Sequence, residues 1–287
     1  MAPLAQTMLD VALSVPGLDP AADALHSAVD GTLSAAGPAK QSLKDALNGT
    51  WLGHALHPAI TDVPVGAWTA AVALDALGEA RGARIAIGVG LLGALGAAAT
   101  GLTDWLDTRN DRQRRLGVVH ATLNGVATAL YAASWFARGR DPRSGVTLSL
   151  AGYALAAVSA MYGGTLALDL QTGTNFTQTS DPPGGEVDVA ALADVPDGGM
   201  TRVDAGGYPV LLVRCGGDVA AIGAVCAHQG GPLEEGRLDG DVVQCPWHGS
   251  RFCVRDGSVV SGPSAYPQPA FAARVANGRV LVAQQPA

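Results

Sequence analysis

The sequence predicts a multi-domain protein, an N-terminal all-α bundle of four transmembrane helices followed by a C-terminal all-β domain of antiparallel strands. Three observations predict this class. Four apolar stretches of near-membrane length precede residue 169, a polar segment rich in Thr, Gly and Pro follows them, and short β-type runs between Gly, Asp and Pro turns fill the rest. The mean hydropathy of +0.23 is also higher than is usual for a soluble protein.

The four apolar stretches are each close to the ~20 residues that cross a hydrocarbon layer. They cover residues 58–77, 85–105, 116–137 and 145–168. The connectors between them are short, so we expect neighbouring helices to be antiparallel. The second stretch is rich in small residues, which predicts close helix packing. Four tryptophans near the stretch ends are expected at the membrane interface, namely Trp51, Trp68, Trp105 and Trp135.

These patterns set the predicted domain boundaries. They are an amphipathic N-terminal arm over 1–50, the transmembrane domain over 51–168, a linker over 169–185 and the β domain over 186–287. The linker shows no apolar period and resembles a flexible coil, whose root-mean-square span is roughly 20–25 Å. The β domain is therefore expected to stay close to the membrane surface.

Charge and the N-terminal sequence limit the partners and the location. The net charge of −7 leaves no basic surface to neutralise phosphates, so a nucleic-acid partner is excluded. The chain begins without the basic and apolar regions of a secretory signal, and its abundant Arg and Ala are typical of a GC-rich bacterial genome. We expect an integral protein of the bacterial inner membrane with its β domain in the cytoplasm.

Two short motifs in the C-terminal region each pair one cysteine with one histidine. One residue separates Cys226 from His228, and two residues separate Cys245 from His248. A zinc finger usually pairs cysteine with cysteine and histidine with histidine, whereas a Rieske [2Fe-2S] centre needs two cysteines on one iron and two histidines on the other. We therefore expect all four residues to be cluster ligands, with a zinc site as the alternative.

The residues around both motifs resemble the two cluster-binding loops of the Rieske family. The resemblance is carried by Gln-Gly-Gly-Pro-Leu after His228 and Gly-Ser-Arg-Phe after His248, and it covers about residues 186–284. It implies an antiparallel β-sandwich with a [2Fe-2S] cluster at one tip. It also implies a third covering loop at Gly262 and Pro263, and it places Gly230 and Ser250 in the environment of the cluster.

Two departures from the high-potential members of that family bear on the reduction potential. Those proteins have an additional cysteine in each loop, where this chain has Gly231 and Trp247, so the family's loop disulfide is absent. Ser250 matches a serine that donates to cluster sulfur, but Phe252 replaces the donating tyrosine. Fewer donors to sulfur favour the oxidised state, so we expect a potential in the lower or middle part of the Rieske range.

The helical region also carries a resemblance. Residues 45–168, and above all Gly-Thr-Trp-Leu-Gly-His-Ala-Leu-His-Pro over 49–58, resemble a family of uncharacterised bacterial four-helix membrane domains. Helix parity places His54, His57 and His120 toward one membrane face, and Asp62 follows in the first stretch. Ionisable residues inside lipid are costly and are functional candidates. The hypotheses are a haem b with His57 and His120 as ligands, a quinone site, or a buried polar network in which His120 contacts Asn124.

The leading functional hypothesis is one-electron transfer between a membrane quinone or haem and a soluble redox partner. No histidine follows His248, so the mononuclear iron site of a Rieske oxygenase is not expected, although the chain remains a candidate donor to a separate oxygenase. A redox or iron sensor with a membrane anchor is the third hypothesis. We expect an oxidoreductase component rather than a stand-alone enzyme, with no catalytic residue of its own, and the sequence predicts no oligomeric state.

Overall fold

The computed structural model describes residues 4–108, 110–178 and 181–285. Contacts within the chain divide it into two units. The helical unit comprises the described part of Met1–Lys40 together with Leu56–Thr172, and the β unit comprises Gln41–Ala55 together with the described part of Gly173–Ala287. The β unit is thus formed from two separate segments of sequence. The four domain boundaries expected from the sequence stay predictions.

Seven α-helices are present in the described ranges, rather than four. They are α1 Leu4–Leu13, α2 Leu18–Ser34, α3 Lys40–Asn48, α4 Leu56–Ala76, α5 Ala80–Leu106, α6 Asp111–Ala137 and α7 Pro142–Gly164. The last four coincide with the four predicted stretches. α4 packs along α5 and α6 packs along α7, and further contacts of α5 with α6 and of α4 with α7 close the bundle.

Only three of the helices in the described ranges are long and apolar enough to cross a membrane. They are Ala80–Leu106, Asp111–Ala137 and Pro142–Asp169, the last including a turn of π-helix over Thr165–Asp169. The prediction of four spans is corrected to three, because α4 does not combine the length and the apolar composition that identify the other three helices as candidate spans. Polar residues such as His57 and Asp62 oppose insertion of α4 into hydrocarbon, and Pro64 lies inside the helix.

Glycines of α5 receive side chains of α4, which explains the run of small residues in the second stretch. A Cβ on Gly93 would lie 2.6 Å from Val63 Cγ1. Gly90 lies directly against the indole of Trp68, which leaves no room for a Cβ. Trp68 is therefore buried, and it stacks on Tyr131 of α6 with ring centroids 4.1 Å apart. The prediction of close packing is confirmed.

Two of the four tryptophans expected at the membrane interface are buried within the helical unit. Trp68 and Trp105 are only 5% and 6% exposed. Trp105 fits against Gly117 of α6, and its indole N–H donates to the carbonyl of Arg114 over 3.1 Å. The N–H of Trp105 is therefore satisfied inside the protein, whereas the buried N–H of Trp68 has no hydrogen-bond partner within the described ranges.

An ion pair is buried within the helical unit. The Arg138 guanidinium donates to both carboxylate oxygens of Asp75, at 2.6 and 2.5 Å, and also to Ser149 Oγ at 3.0 Å. The two charged side chains are only 5% and 7% exposed. Bidentate geometry with a further acceptor is the arrangement that compensates two buried charges. This pair links α4 to the C-terminal cap of α6.

The β unit contains ten strands in its described part. They are β1 Val187–Ala191, β2 Met200–Ala205, β3 Tyr208–Cys215, β4 Asp218–Gly223, β5 Arg237–Asp239, β6 Val242–Gln244, β7 Arg251–Cys253, β8 Val259–Ser261, β9 Ala270–Ala276 and β10 Arg279–Gln284. They form a six-stranded sheet in the order β1-β10-β9-β4-β3-β2 and a four-stranded sheet in the order β5-β6-β7-β8. All strand pairs are antiparallel, as predicted.

Strand β3 shows how the sequence produces two cores. Its alternate residues point to opposite faces of the sheet. Leu211 and Val213 pack with Val243 and Phe252 of the four-stranded sheet, and this first core also contains the two cysteines of the predicted ligand set. Val210 and Leu212, on the other face, pack with Phe271 and the residues of β10. The predicted ligand loops thus leave the sheets at the edge of a fully buried core.

Candidate metal centre

The loop after β4 is closed by two backbone hydrogen bonds around Cys226. The Cys226 N–H donates to the carbonyl of Gly231 over 2.8 Å, and the Gly230 N–H donates back to the carbonyl of Cys226 over 2.9 Å. Gly230 has a φ of +75°, a conformation that favours glycine. These bonds turn the chain so that His228 lies at the tip of the loop.

The loop between β6 and β7 repeats this scheme. The Cys245 N–H donates to the carbonyl of Ser250 over 2.8 Å, and the Gly249 N–H donates to the carbonyl of Cys245 over 3.2 Å. The glycine again stands four residues after the cysteine, with a φ of +79°. Two loops of different sequence therefore present one thiol and one imidazole each from the same backbone geometry.

The four predicted ligand side chains come together in the structure. The Cys226 and Cys245 side chains are within hydrogen-bond contact, and this contact together with burial raises the pKa of Cys226. The rings of His228 and His248 lie edge to face with centroids 4.9 Å apart. Burial, with smaller contributions from His248 and Lys44, lowers the pKa of His228 to about 3, which keeps its imidazole neutral. Neutral imidazole is the form that binds a metal.

The donor set fits a binuclear iron-sulfur cluster. Nδ1 of His228 is buried and has no hydrogen-bond partner within the described ranges, so a lone pair is available to a metal. In the same ranges no three Cys, His, Asp or Glu side chains are placed to hold one metal ion. A cluster with two protein ligands on each iron needs no such group, whereas a structural zinc site needs four ligands around one ion. The contact between two thiols and the contact between two imidazoles are the ligand pairs that a cluster with two cysteines on one iron and two histidines on the other requires.

Space beside the cysteines depends on a glycine. A Cβ on Gly231 would lie 2.8 Å from Cys245 Sγ and 3.1 Å from the Trp247 ring. Gly231 occupies one of the two positions where high-potential relatives have an additional cysteine, and Trp247 occupies the other. The four cysteines of the chain are thiols rather than disulfides. Phe252 is completely buried in the core that contains both ligand cysteines.

The third loop contacts the second through a serine pair. Ser264 N–H donates to Ser250 Oγ over 3.0 Å, and both side chains are completely buried. Gly262 and Pro263 precede Ser264 and are buried as well. The predicted environment residues Ser250, Gly262 and Pro263 therefore lie in one connected group of loops.

Two segments outside the predicted β domain also belong to this site. Phe176 N–H donates to the carbonyl of Ala227 over 3.1 Å, and the Phe176 ring lies against Gly230. The hydroxyl of Tyr208 donates to the carbonyl of Thr177 over 3.1 Å. Residues around Phe176 are thus hydrogen-bonded rather than a free coil. The signal that sequence reasoning missed is an aromatic residue inside an otherwise polar segment.

The second such segment is Gln41–Ala55, which the sequence assigned to the N-terminal arm and the start of the membrane domain. It belongs to the β unit and contains most of α3. His54 lies in this segment, is exposed, and has its Nδ1 2.9 Å from the carbonyl of Ala55. No pattern in the sequence indicated this placement, because it depends on contacts between residues far apart in the chain.

In the helical unit, His57 and His120 each fit against a glycine of the neighbouring helix. A Cβ on Gly101 would lie 2.6 Å from His57 Cε1, and one on Gly163 would lie 2.9 Å from His120 Cε1. The Nδ1 of His57 donates to the carbonyl of Ala97 over 3.0 Å. The two imidazoles are within electrostatic reach of each other.

His120 uses both ring nitrogens. Its Nδ1 donates to the carbonyl of Ser159 over 2.9 Å, and its Nε2 accepts from Asn124 Nδ2 over 3.1 Å. The hydrogen bond to Asn124 that the sequence suggested is confirmed. Asp62 is exposed on α4, and in the described part of the chain no hydrogen bond or ion pair joins it to either imidazole.

Two protein families match separate parts of the chain. Residues 185–272 match the Rieske [2Fe-2S] domain, and residues 53–175 match a family described as a predicted membrane protein, DUF2231. The two matches correspond to the fusion that the sequence resembles. The two matches do not overlap each other, and both lie after α1, α2 and α3 in the sequence.

Several relatives and solved structures match about a third of the chain. Ferredoxin CarAc of Metapseudomonas resinovorans is 38% identical over 96 residues, which cover 33% of this chain and 90% of that protein. The ferredoxin component of biphenyl 2,3-dioxygenase from Rhodococcus jostii (strain RHA1) is 34% identical over 94 residues, covering 33% of this chain and 88% of that protein. Among solved structures, the ferredoxin of carbazole 1,9a-dioxygenase from Nocardioides aromaticivorans IC177 is 33% identical and covers 36% of this chain and 100% of its own, with a TM-score of 0.34.

Proposed function

The chain belongs to the Rieske [2Fe-2S] family, and from this premise we propose that it is a membrane-bound one-electron carrier in which Cys226, His228, Cys245 and His248 hold the cluster. A bound [2Fe-2S] cluster supplies reversible one-electron transfer. The observation that carries the proposal is the pair of loops with one hydrogen-bond scheme, which bring two thiols and two imidazoles together.

The ligand residues differ in exposure, which suggests how a partner approaches. Cys226 and Cys245 are buried, whereas His228 and His248 are partly exposed. The side chain of Trp247 is 38% exposed beside His248. We infer that a redox partner docks over His228 and His248, because these two residues would be the most accessible ligands of a bound cluster, whereas Cys226 and Cys245 are shielded from solvent.

The soluble partner proposed here is an oxygenase or another redox protein. The relatives CarAc and the biphenyl dioxygenase component carry the name ferredoxin, and the second is named as a component of an oxygenase. This supports electron donation to a separate oxygenase as the second candidate function. In either case the chain is an oxidoreductase component rather than a stand-alone enzyme.

For the membrane side, hydrogen bonding favours a quinone over a haem. Axial ligation by His120 would require its Nε2 to lose the bond from Asn124. His57 donates through Nδ1, so its Nε2 keeps a lone pair that can accept a hydrogen bond from a quinol hydroxyl. We propose that His57 receives the quinol proton and that His120 is held by Asn124 as a packing residue. Asp62 remains a candidate for the same site, whereas His54 belongs to the β unit.

A quinol-reduction assay tests this assignment. Rate constants for reduction of the purified protein by a quinol analogue would be compared for the wild type, His57→Ala, His120→Ala and, as a control on an unrelated helix, His26→Ala. We expect His57→Ala to slow reduction at least tenfold, with wild-type iron content, and His26→Ala to have no effect. Equal rates in all four proteins would make the helical unit an anchor, and a Soret band lost with His57 or His120 would restore the haem hypothesis.

The redox-sensor hypothesis predicts a different dependence of conformation and turnover on oxidation state. A sensor would change conformation with oxidation state but would not turn over with a quinol and an acceptor. Protease digestion patterns of the oxidised and reduced protein, measured with the turnover assay, separate the two functions. A pattern that depends on oxidation state, without turnover, would favour the sensor.

We also propose that the protein is integral to the bacterial inner membrane with the β domain in the cytoplasm, and that the domains divide near residues 50, 168 and 185. The three apolar helices and the match to predicted membrane proteins support the membrane part. Protease treatment of intact and of opened spheroplasts tests the side. Cleavage of the β domain only after opening is the expected result.

A further inference from the structure

Helix α3 contacts the third loop of the metal centre. The Gly262 N–H donates to Asp45 Oδ1 over 2.8 Å. The Gln41 side-chain amide donates to the same oxygen over 2.8 Å and approaches the Gly262 carbonyl at 3.4 Å. A residue more than two hundred positions earlier in the sequence therefore supplies the hydrogen-bond acceptor for this loop.

Gly262 packs tightly against Asp45 and Thr50. A Cβ on Gly262 would lie 2.9 Å from Asp45 Oδ1 and 3.1 Å from Thr50 Cγ2, so a glycine is needed at this approach. Asp45 is itself fixed, because its carbonyl accepts from the N–H and the hydroxyl of Thr50, at 3.1 and 3.0 Å. The Asp45 carboxylate is therefore held near the ordered C-terminal end of α3.

The loop that contains Gly262 and Ser264 connects Asp45 to Ser250. Two residues after Gly262, the Ser264 N–H donates to Ser250 Oγ. Ser250 is completely buried, and its carbonyl accepts from the Cys245 N–H. Because Ser250 Oγ acts as the acceptor in that contact, its O–H hydrogen can donate to another group. Buried hydroxyls rarely lack an acceptor, and a cluster held by Cys245 would offer sulfur as one.

We propose that Asp45 is a positioning residue for the metal centre, which fixes Gly262, keeps the Ser264 N–H against Ser250 Oγ, and so directs the Ser250 hydroxyl hydrogen toward sulfur. The inference rests on the proposed function, because it requires a bound cluster. It assigns α3, which precedes the helical bundle in sequence, to the control of the reduction potential.

A second observation supports the placement of α3. Lys44, the neighbour of Asp45, acts electrostatically on the predicted ligand His228. Lys44 is thus within electrostatic range of His228, in addition to the hydrogen bond between Gly262 and Asp45.

The sign of the potential change separates positioning from simple charge. A hydrogen bond to sulfur stabilises the reduced cluster, which is the more negative state. Loss of the Asp45 anchor should weaken that bond and lower the ratio of reduced to oxidised protein at a fixed ambient potential. Loss of a negative charge alone should raise the same ratio. The two explanations predict opposite outcomes for one substitution.

The experiment is a redox titration of the full chain in detergent, with iron and acid-labile sulfide measured in each sample. The variants are Asp45→Ala, Asp45→Asn, Ser250→Ala and the double variant Asp45→Ala/Ser250→Ala, with the exposed Ser42→Ala on the same helix as a control. We expect Asp45→Ala to lower the ratio of reduced to oxidised protein about threefold to tenfold, the range of one hydrogen bond. Asp45→Asn keeps the acceptor and should retain or slightly raise the ratio.

The double variant tests the route through Ser250. If Asp45 acts by positioning Ser250, Asp45→Ala should have no further effect once Ser250 is alanine. Hydrogen exchange of the peptide containing Gly262 should also become faster in Asp45→Ala but not in Asp45→Asn. A ratio that is unchanged or raised in a cluster-loaded Asp45→Ala protein would overturn the proposal.

Asp45→Glu provides the same test if the Asp45→Ala variant does not assemble a cluster. It retains the charge but moves the acceptor by one methylene, so positioning predicts a lower ratio and charge alone predicts no change. A wild-type protein without a [2Fe-2S] signal would refute the proposed function instead, and the two failures are therefore distinguishable.

Discussion

The two units of the molecule encode their important residues in different ways. In the β unit each ligand cysteine is placed by hydrogen bonds to residues four and five positions further along the chain. In the helical unit the placement of His57 and Trp68 depends on glycines of another helix, some 20 to 45 positions away. The comparison shows that chemistry held by a local loop can be read from a motif, whereas packing between helices requires the contacts themselves.

The largest effect should follow loss of a ligand from one of the two loops. Replacing Cys245 with serine should abolish the cluster, because a serine hydroxyl does not replace a thiolate on iron. Cys253→Ser is the matched control, since Cys253 lies on β7 outside the ligand set. Iron, sulfide and the EPR signal should all be lost in the first variant and retained in the second. An EPR signal retained in Cys245→Ser would show that the local loop motif does not identify the cluster ligands.

The next largest effect should come from the buried ion pair of the helical unit. Arg138→Leu leaves the Asp75 carboxylate buried without its partner, which should cost about 3–5 kcal/mol in the free energy of unfolding. Leucine at both positions should recover much of the loss. Unfolding in detergent, followed by circular dichroism, measures this, and Arg140→Leu at an exposed position is the control. A single variant as stable as the wild type would mean that the pair is solvated.

A smaller effect is expected from the glycine that receives His57. Gly101→Ala places a Cβ in contact with the imidazole and should destabilise the bundle by about 1–3 kcal/mol. Gly66→Ala on α4 meets open space and should change stability by no more than about 1 kcal/mol, in the stabilising direction. Thermal unfolding of both variants compares them. Equal behaviour would mean that helix propensity, not packing, governs these positions.

The smallest effect concerns the tuning of the centre. Phe252→Tyr adds a hydroxyl in the core that contains both ligand cysteines and should raise the potential by about 60 mV, a tenfold change for a one-electron couple. The wild-type midpoint should lie below roughly +200 mV, within the range of about −150 to +300 mV for such centres. A redox titration of both proteins decides this. A wild-type midpoint above that value would show that other interactions compensate for the hydrogen-bond donor that Phe252 lacks.

The accuracy of the sequence-based expectations follows the same division. The antiparallel β domain and the positions of the four long helices were predicted, because alternation and apolar length are local properties of the sequence. The burial of Trp68 and Trp105 was not, since it depends on the facing glycines Gly90 and Gly117. The contact of Asp45 with Gly262 was equally out of reach, because nothing in either segment indicates the other.

The central claim is that this chain holds a Rieske cluster on two cysteines and two histidines. The EPR spectrum of the dithionite-reduced full chain, recorded on the same sample as its iron, zinc and sulfide contents, tests it most directly. We predict the low average g-value of a histidine-ligated [2Fe-2S] cluster, with iron and acid-labile sulfide in equal amounts. Stoichiometric zinc without sulfide, in a protein that shows no such signal after maturation in an iron-replete host, would contradict it.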